Sequence, residues 1–141
     1  MKNTKPAIWF PTVKTNTGTD RFTEQLVEGL NKHGFQAEIS WLPHHAEYLP
    51  WIVKKINPPS WANVVHVNSW LHHKFYPKQL PMVATVHLCV QDPIYLPYKT
   101  LAQKYYHLLW VTPIERQCFA QADSITAVSQ YTAACVENIF G

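Results

Sequence analysis

The sequence of 141 residues predicts one α/β domain with a Rossmann-like, doubly wound and mostly parallel sheet flanked by helices. Three observations lead to this prediction. Short β-branched apolar runs alternate with amphipathic stretches of helical period, most of these runs lack the polar alternation of half-exposed strands, and no repeat or linker divides residues 1–141. Strands that alternate with helices form right-handed βαβ units and therefore a parallel sheet.

Four runs have the composition of central strands that are buried on both faces. They are residues 7–10, 64–67, 82–86 and 124–128. A further run, residues 37–42, alternates between apolar and polar side chains. This alternation predicts a strand nearer the edge of the sheet.

Helical patterns fill the intervals between these strands. Residues 20–33 carry an apolar stripe at helical spacing, and residues 100–110 place Leu101, Tyr105 and Leu108 on one face of a second helix. Both stretches have the length of ordinary helices in globular domains. They supply the helical layers that a doubly wound sheet requires.

Two further helix starts are predicted from capping patterns. Thr112, Pro113 and Glu115 have the order of an N-cap, a first-turn proline and a capping-box glutamate, so a new helix is expected to begin there. Ser129 is expected to cap a last helix that stops at Gly141.

Composition excludes several classes of protein. Hydrophobic residues make up 47% and charged residues 15%, which excludes intrinsic disorder. The 12 basic residues form no run longer than two, so a nucleic-acid binder is not expected. Three separated cysteines, no signal peptide and no apolar stretch of membrane-span length predict reduced thiols and a cytoplasmic location, either free or at the inner face of the membrane.

Ligands of such sheets bind beyond the carboxyl ends of the strands. After the first strand, a loop containing Thr17, Gly18 and Thr19 leads into the first helix. A helix N-terminus offers free N–H groups and the positive end of its dipole to a phosphate. Gly18 is expected to let the backbone approach that phosphate, with access to a positive φ angle. A plain N-capped loop would have the same pattern and stays open as the alternative.

The ends of the third and fourth strands in chain order supply the other candidates. Asn68, Ser69 and Trp70 follow residues 64–67, and His87 follows residues 82–86. A histidine at such a position can hydrogen-bond a substrate hydroxyl or phosphate, because its two nitrogens divide the donor and acceptor roles. A structural core histidine is the alternative. The eight histidines show no established ligand spacing, so no metal site is predicted.

Four segments, taken in order, resemble the N-terminal domain of family-4 (group 1) glycosyltransferases, which have the GT-B architecture. They are Thr17–Phe22 with Lys32–Phe35, Asn63–Trp70, Pro81–His87, and Glu115–Arg116 with Ala122–Ser129 and the end of the chain at Ile139–Gly141. The last of these segments is the most specific match. The resemblance extends over residues 7–141, which would then be one half of a GT-B fold.

The resemblance implies the acceptor-side half of a retaining, metal-independent transferase that moves a sugar from a nucleotide-sugar to an acceptor hydroxyl. It assigns catalysis to His87, binding of the donor phosphate to Thr17, Gly18 and Thr19, and binding of the acceptor to Asn68, Ser69 and Trp70. The implied partners are the nucleotide-sugar, an acceptor glycan, lipid or small molecule, and a second nucleotide-binding domain in cis or in trans. No cofactor is implied beyond the donor substrate.

The sequence departs from the family pattern at several points. Thr17 stands where the family usually has glycine, and Asn68 replaces a histidine. The family's C-terminal, nucleotide-sugar-binding domain and its Glu-x7-Glu motif are absent from residues 1–141, so this chain is expected to fold alone and to transfer no sugar. For the Trp-rich residues 41–61, internal packing is favoured over peripheral contact with a membrane.

Two other functions stay open. Thr15–Thr19 also resembles the phosphate loop of flavodoxins, and Trp70 and Tyr95 fall roughly where flavin-stacking aromatics occur, which would indicate an FMN redox carrier. Gly-rich flavin loops are absent, however, and residues 122–141 have no counterpart in that family. The other alternative is a non-catalytic subunit that completes a split glycosyltransferase.

Overall fold

A computed structural model describes residues 4–141, and a five-stranded parallel sheet organises this part of the chain. Its strands are β1 (Ala7–Val13), β2 (Gln36–Leu42), β3 (Val64–Asn68), β4 (Met82–Val86) and β5 (Ser124–Ala127). They lie in the order β2-β1-β3-β4-β5, and each neighbouring pair is parallel. The predicted Rossmann-like α/β fold is confirmed, and β2 is an edge strand as its alternation indicates.

Helices flank this sheet. They are α1 (Gly18–Lys32), α2 (Leu101–Tyr106), α3 (Thr112–Gln121) and α4 (Gln130–Phe140), with a π-helical turn, His107–Val111, between α2 and α3. Short 3₁₀ turns span His44–Glu47, Pro50–Ile52, His73–Phe75 and Pro93–Tyr98. Ser129 caps α4 as predicted, because its hydroxyl accepts a hydrogen bond from the Thr132 N–H at 3.1 Å.

The strand order of the sheet reverses at β1, and a crevice lies next to this reversal. β2 lies on one side of β1 and β3 on the other, so the two connections leave the sheet in opposite directions. β1 and β3 are paired only at Ile8 with Val64 and at Trp9 with Val65. Beyond Trp9, β1 continues beside β2 through Pro11, which has no N–H to donate. A crevice therefore opens at the carboxyl ends of β1 and β3, where doubly wound sheets bind ligands.

One face of the sheet carries the main core. Trp9, Val65, Val67, Met82 and Ala84 of the three central strands pack there with side chains of the loops and of α3. Trp9 is completely buried, and its indole N–H donates to Ser40 Oγ on β2 at 2.8 Å. The largest core side chain thus has its one polar atom paired, as burial of an indole requires.

Polar residues that directly precede β3 and β5 make hydrogen bonds to the backbone at the starts of the neighbouring strands. Asn63 Oδ1 accepts from the Ala7 N–H at 2.7 Å, and Asn63 Nδ2 donates to the Lys5 carbonyl at 3.0 Å. Asp123 Oδ2 accepts from the Met82 N–H at 2.8 Å. Asn63 and Asp123 thus fix the starts of β1 and β4.

The expectation of a central, doubly buried strand at residues 124–128 is wrong. β5 lies at the edge of the sheet, and its Ser124, Ile125 and Thr126 are exposed. α4 buries Val136 against Val86 and Cys89, near the end of β4, and leaves Ser124, Ile125 and Thr126 exposed. A short apolar run indicates a strand, but it does not determine how many neighbours that strand will have.

α3 begins at Thr112 as predicted, but the predicted cap is wrong, because residues 101–121 form one continuous helical run. Val111 has helical angles, φ −68° and ψ −49°. The Thr112 hydroxyl does not cap a helix; it donates to the His107 carbonyl at 2.7 Å. The wider π turn before Thr112 accommodates Pro113, which lacks an N–H for the helical ladder.

Candidate functional site

A cleft of about 450 Å³ opens at the carboxyl ends of β1, β3 and β4, beside the point where the sheet reverses. Its walls include six of the seven predicted site residues, namely Thr17, Thr19, Asn68, Ser69, Trp70 and His87. The seventh, Gly18, is not among the residues that line it. Cavities of this size commonly hold small-molecule ligands.

Asp20 organises the loop that forms one wall of the cleft. Its buried carboxylate accepts from the backbone N–H groups of Thr15 and Asn16 and from the Thr15 hydroxyl, at 2.8 to 3.2 Å. Lys14 Nζ lies 3.5 Å away. Burial raises the pKa of Asp20, but the hydrogen bonds from Thr15 and Asn16 and the charge of Lys14 outweigh it and lower that pKa overall. Asp20 therefore stays ionised and holds the loop in one conformation.

The residues that begin α1 differ in conformation from the expectation. Thr17 is the N-cap, but its side chain makes no capping hydrogen bond; its hydroxyl lies 2.7 Å from the Thr15 hydroxyl. Gly18 is a helical residue without a positive φ, and a Cβ built on it meets no atom within 4 Å. The expected positive φ occurs instead at Asn16, with φ 57°. Gly18 thus leaves open space at the helix N-terminus.

His87 and Asn68 form a hydrogen-bonded pair in the cleft. His87 Nε2 lies 3.0 Å from Asn68 Oδ1. Because a carbonyl oxygen only accepts, Nε2 carries the hydrogen and Nδ1 is left as an acceptor. Burial lowers the pKa of His87 below its ordinary value of 6.5, so the ring is neutral at pH 7. The ring of Phe22 on α1 lies edge-on at 4.8 Å and fixes its orientation further.

His66 has a structural environment, and it is not among the residues that line the cleft. Its ring stacks on Phe10 with centroids 4.8 Å apart, and its Nε2 lies 2.5 Å from Thr85 Oγ1. Thr85 Oγ1 lies in turn 2.8 Å from Thr126 Oγ1. Burial, with a smaller contribution from the nearby His87, lowers the pKa of His66 to about 4. A neutral His66 therefore links β3 to β4 and β5.

Glu115 of α3 positions the loop after β3. Ser69 Oγ and Trp70 Nε1 both donate to Glu115 Oε1, at 3.1 and 2.8 Å, and Gln91 Nε2 donates to Oε2 at 2.6 Å. Burial raises the pKa of Glu115, although the hydrogen bonds from Gln91, Ser69 and Trp70 act in the opposite direction. The polar atoms of Ser69 and Trp70 are thus bound within the protein. The face of the Trp70 ring, rather than its N–H group, is therefore the part that can contact a ligand.

The cleft also contains residues that the sequence did not single out as candidates. His44, Glu47 and Tyr48 come from the 3₁₀ turn after β2 and its C-terminal end, and Glu47 Oε2 lies 3.6 Å from His44 Nε2. Burial raises the pKa of Glu47. No motif or periodicity in this stretch predicts a site. Its place in the cleft depends on the path of the chain between β2 and β3.

The three cysteines are free thiols, as predicted. Cys89 Sγ lies 2.6 Å from Cys135 Sγ, and burial together with that neighbour raises the pKa of Cys89 to about 12. Burial raises the pKa of Cys118 to about 11. Neither Cys89 nor Cys118 is a thiolate at neutral pH, so neither provides an activated nucleophile.

Within residues 4–141, no group of three or more His, Cys, Asp or Glu side chains is arranged to hold a metal ion. No helix in the same range is long and apolar enough to cross a bilayer. A scan against protein-family models and a search of curated proteins both returned no match to this chain.

The strand order is compatible with both ligand types that the sequence allows. The order β2-β1-β3-β4-β5 also occurs in flavodoxin-like sheets. Trp70 lines the cleft, but Tyr95 is not among its lining residues in the described part of the chain. Of the two aromatic rings expected to enclose a flavin, the cleft is therefore lined by that of Trp70.

Proposed function

We propose that this chain is the acceptor-side half of a retaining transferase that moves a sugar from a nucleotide-sugar to an acceptor hydroxyl. One observation supports the proposal most strongly. Three strand ends, separated by up to 70 residues of sequence from Thr17 to His87, contribute their predicted site residues to one cleft. The proposed assignment of each wall follows from the groups that it presents.

The loop before α1 receives the donor diphosphate. Thr17 and Thr19 line the cleft, and the helix start has no side-chain cap. The Asp20 N–H donates to the Thr17 carbonyl, but the N–H groups of Gly18 and Thr19 remain as donors, and the helix dipole favours an anion there. Asp20 engages the amides of Thr15 and Asn16, one turn earlier, and leaves those of Gly18 and Thr19 to the ligand. The open space at Gly18 admits a phosphate close to the backbone.

His87 acts at the transferred sugar. With Nε2 bound to Asn68, its Nδ1 accepts a hydrogen bond from a sugar hydroxyl or from the acceptor. The lowered pKa keeps the ring neutral, so this acceptor is present throughout the neutral range. A group that acts on the reacting sugar contributes about 10²-fold or more to turnover. His87→Ala is expected to cost that much in the enzyme that includes a nucleotide-binding domain.

Trp70 and Tyr48 form the acceptor side. Both line the cleft, and the indole of Trp70 is fixed through its hydrogen bond to Glu115. A held aromatic ring offers an apolar face with little entropy left to lose on binding. Such a face suits the C–H surface of a pyranose or a lipid chain. The acceptor is therefore a glycan, a lipid or a small molecule with one such surface.

A titration tests the proposal. The purified chain is titrated with UDP-glucose and GDP-mannose by calorimetry, and transfer or hydrolysis of each is assayed. We expect millimolar dissociation constants, which correspond to about 4 kcal/mol, and no turnover. Without the second domain, the advantage of holding the reactants together, about 7–11 kcal/mol in favourable cases, is mostly lost.

Two helical glycines provide a matched pair of variants. Gly18→Val and Gly29→Val both place a side chain on α1 where a Cβ meets no atom within 4 Å. Only Gly18→Val blocks the proposed phosphate position, and it should weaken binding about tenfold, the scale of one hydrogen bond to a charged group. Equal affinities of the two variants for the nucleotide-sugar would show that the diphosphate does not bind at this loop. Micromolar binding of FMN, seen near the flavin absorbance bands, would replace the proposal with the redox carrier.

A further inference from the structure

The run from α2 through the π turn presents an apolar face to solvent. This face consists of Leu101, Tyr105, Leu108 and Leu109, which recur at i, i+4, i+7 and i+8 and so share one side of the helix. Leu101 and Leu109 are 68% and 69% exposed, whereas Val111 is buried. A helix on the surface of a globular protein has the opposite arrangement, with its apolar stripe facing the core.

A second exposed apolar element adjoins this helix. Trp51 and Ile52 are 61% and 63% exposed. The Trp51 ring lies edge-on to Trp110 with centroids 6.0 Å apart, and Trp110 Nε1 donates to the Glu47 carbonyl at 3.0 Å. Lys74 Nζ donates to three backbone carbonyls of the turn that carries Trp51. The turn and the helix are therefore in contact through Trp51 and Trp110. Their exposed apolar side chains are here named the apolar ridge: Trp51, Ile52, Leu101, Tyr105, Leu108 and Leu109.

The two segments that carry the apolar ridge are basic, and the acids that directly precede them, Glu47 and Asp92, are largely buried. Residues 48–62 and 93–111 include no Asp or Glu, but they include Lys54, Lys55, Lys99 and Lys104. Lys54, Lys55 and Lys104 are exposed. An exposed apolar surface that is flanked by cations and free of anions is complementary to a negatively charged, partly apolar partner.

We propose that the apolar ridge docks onto the surface of an anionic lipid bilayer. Leucines enter the boundary between headgroups and acyl chains, Trp and Tyr favour that interface, and lysines meet anionic headgroups. A second copy of this chain is a poorer occupant. A symmetric pair would bring the same lysines of both copies together, with no acidic residue in either segment to neutralise them.

This binding does not depend on sugar transfer, but the two surfaces are adjacent. Tyr48 lines the cleft, and its ring lies 6.0 Å from that of Tyr106 on α2. A chain docked through the apolar ridge would hold the cleft close to the bilayer surface.

Vesicle flotation with the full chain tests the proposal. The probes are vesicles of phosphatidylcholine alone and vesicles with one part phosphatidylglycerol to two parts phosphatidylcholine. We expect flotation with the anionic vesicles, much weaker flotation with the neutral ones, and release by salt. Leu108→Gln combined with Leu109→Gln should lower the partition coefficient at least about tenfold. These side chains are exposed, so the variant should keep its fold, which circular dichroism checks.

Ile125→Gln is the matched control, because Ile125 is an exposed apolar residue on β5, outside the apolar ridge. It should float like the wild type. Equal flotation of the control and the double variant, or no flotation of the wild type, would overturn the proposal. So would a dimer in solution that dissociates on substitution of Leu108 and Leu109, since a second copy would then occupy the ridge. None of these outcomes depends on whether the cleft binds a nucleotide-sugar.

Discussion

At the scale of the residue, His66 makes stability depend on pH. Its ring is neutral in the folded chain because burial lowers its pKa to about 4, against an ordinary value of 6.5. Between these two values the unfolded chain binds more protons than the folded chain. The free energy of unfolding therefore falls as the pH decreases from about 6.5 to about 4, by about 3 kcal/mol for a shift of this size.

His66→Gln should remove most of this pH dependence. Glutamine does not titrate, and its side-chain amide can still hydrogen-bond Thr85. The measurement is urea unfolding of both proteins at several pH values from 4 to 7. His45→Gln is the control, since His45 is exposed, and it should keep the wild-type slope. An unchanged slope in His66→Gln would show that other groups cause the acid sensitivity.

Glu115 is the second residue whose role can be tested by itself. Glu115→Ala removes the acceptor of three hydrogen bonds, from Ser69, Trp70 and Gln91. Buried donors without partners should lower the free energy of unfolding by about 2–4 kcal/mol in urea titrations. Glu137→Ala, at an exposed position of α4, should change it little. Similar stabilities for the two variants would contradict the proposed positioning of the Trp70 loop.

The sequence predicts which residues reach the cleft but not what holds them. Asn68, Trp70 and His87 were found because they follow predicted strands, and ligands bind at strand ends. The link between Trp70 and Glu115 joins residues 45 positions apart in sequence. No local pattern encodes such a contact, because it depends on how α3 packs against the sheet.

At the scale of the element, the loop from Lys14 to Thr17 depends on Asp20. Asp20→Ala removes hydrogen bonds to the backbone of Thr15 and Asn16 and should lower the free energy of unfolding by about 2 kcal/mol. Amide hydrogen exchange at Thr15 and Asn16 should become faster, because the loop loses its anchor. Both quantities are measurable on one labelled sample.

Glu24→Ala is the control for this loop. Glu24 is exposed, and its carboxylate lies 3.5 Å from Lys14 Nζ. The substitution therefore removes a charge near the same lysine without affecting a hydrogen bond to the loop backbone. Its exchange rates at Thr15 and Asn16 should match the wild type. Faster exchange in Glu24→Ala alone would assign the loop's rigidity to the surface ion pair.

Element boundaries show where local patterns mislead. Thr112, Pro113 and Glu115 carry the pattern of a helix start, yet residues 101–121 are one continuous helical run. The π turn at His107–Val111 relieves the conflict that proline creates inside a helix. A π turn has no sequence pattern of its own. The capping pattern at Thr112 therefore indicated a separate helix where the helical run is continuous.

At the scale of the whole molecule, the fold class and the strand ends were predictable and the surfaces were not. Alternating apolar runs and helical stretches are enough to predict a parallel α/β sheet. The exposure of β5, and of the helix face that carries Leu101, Tyr105 and Leu108, cannot be predicted in this way. It depends on which elements lie next to them, and an apolar stripe has the same spacing whether it meets a core or faces outward.

The central claim is that the cleft binds a nucleotide-sugar through the start of α1 and His87. The most direct test is a ¹H–¹⁵N NMR titration of the labelled chain with UDP-glucose and with GDP-mannose, to millimolar concentration. Shifts should concentrate at the amides of Thr17, Gly18 and Thr19, at Asn68 and at the His87 ring. Gly18→Val should weaken the binding that these shifts report about tenfold, whereas Gly29→Val should not. Shifts confined to other parts of the chain, or none with either donor, would contradict the account.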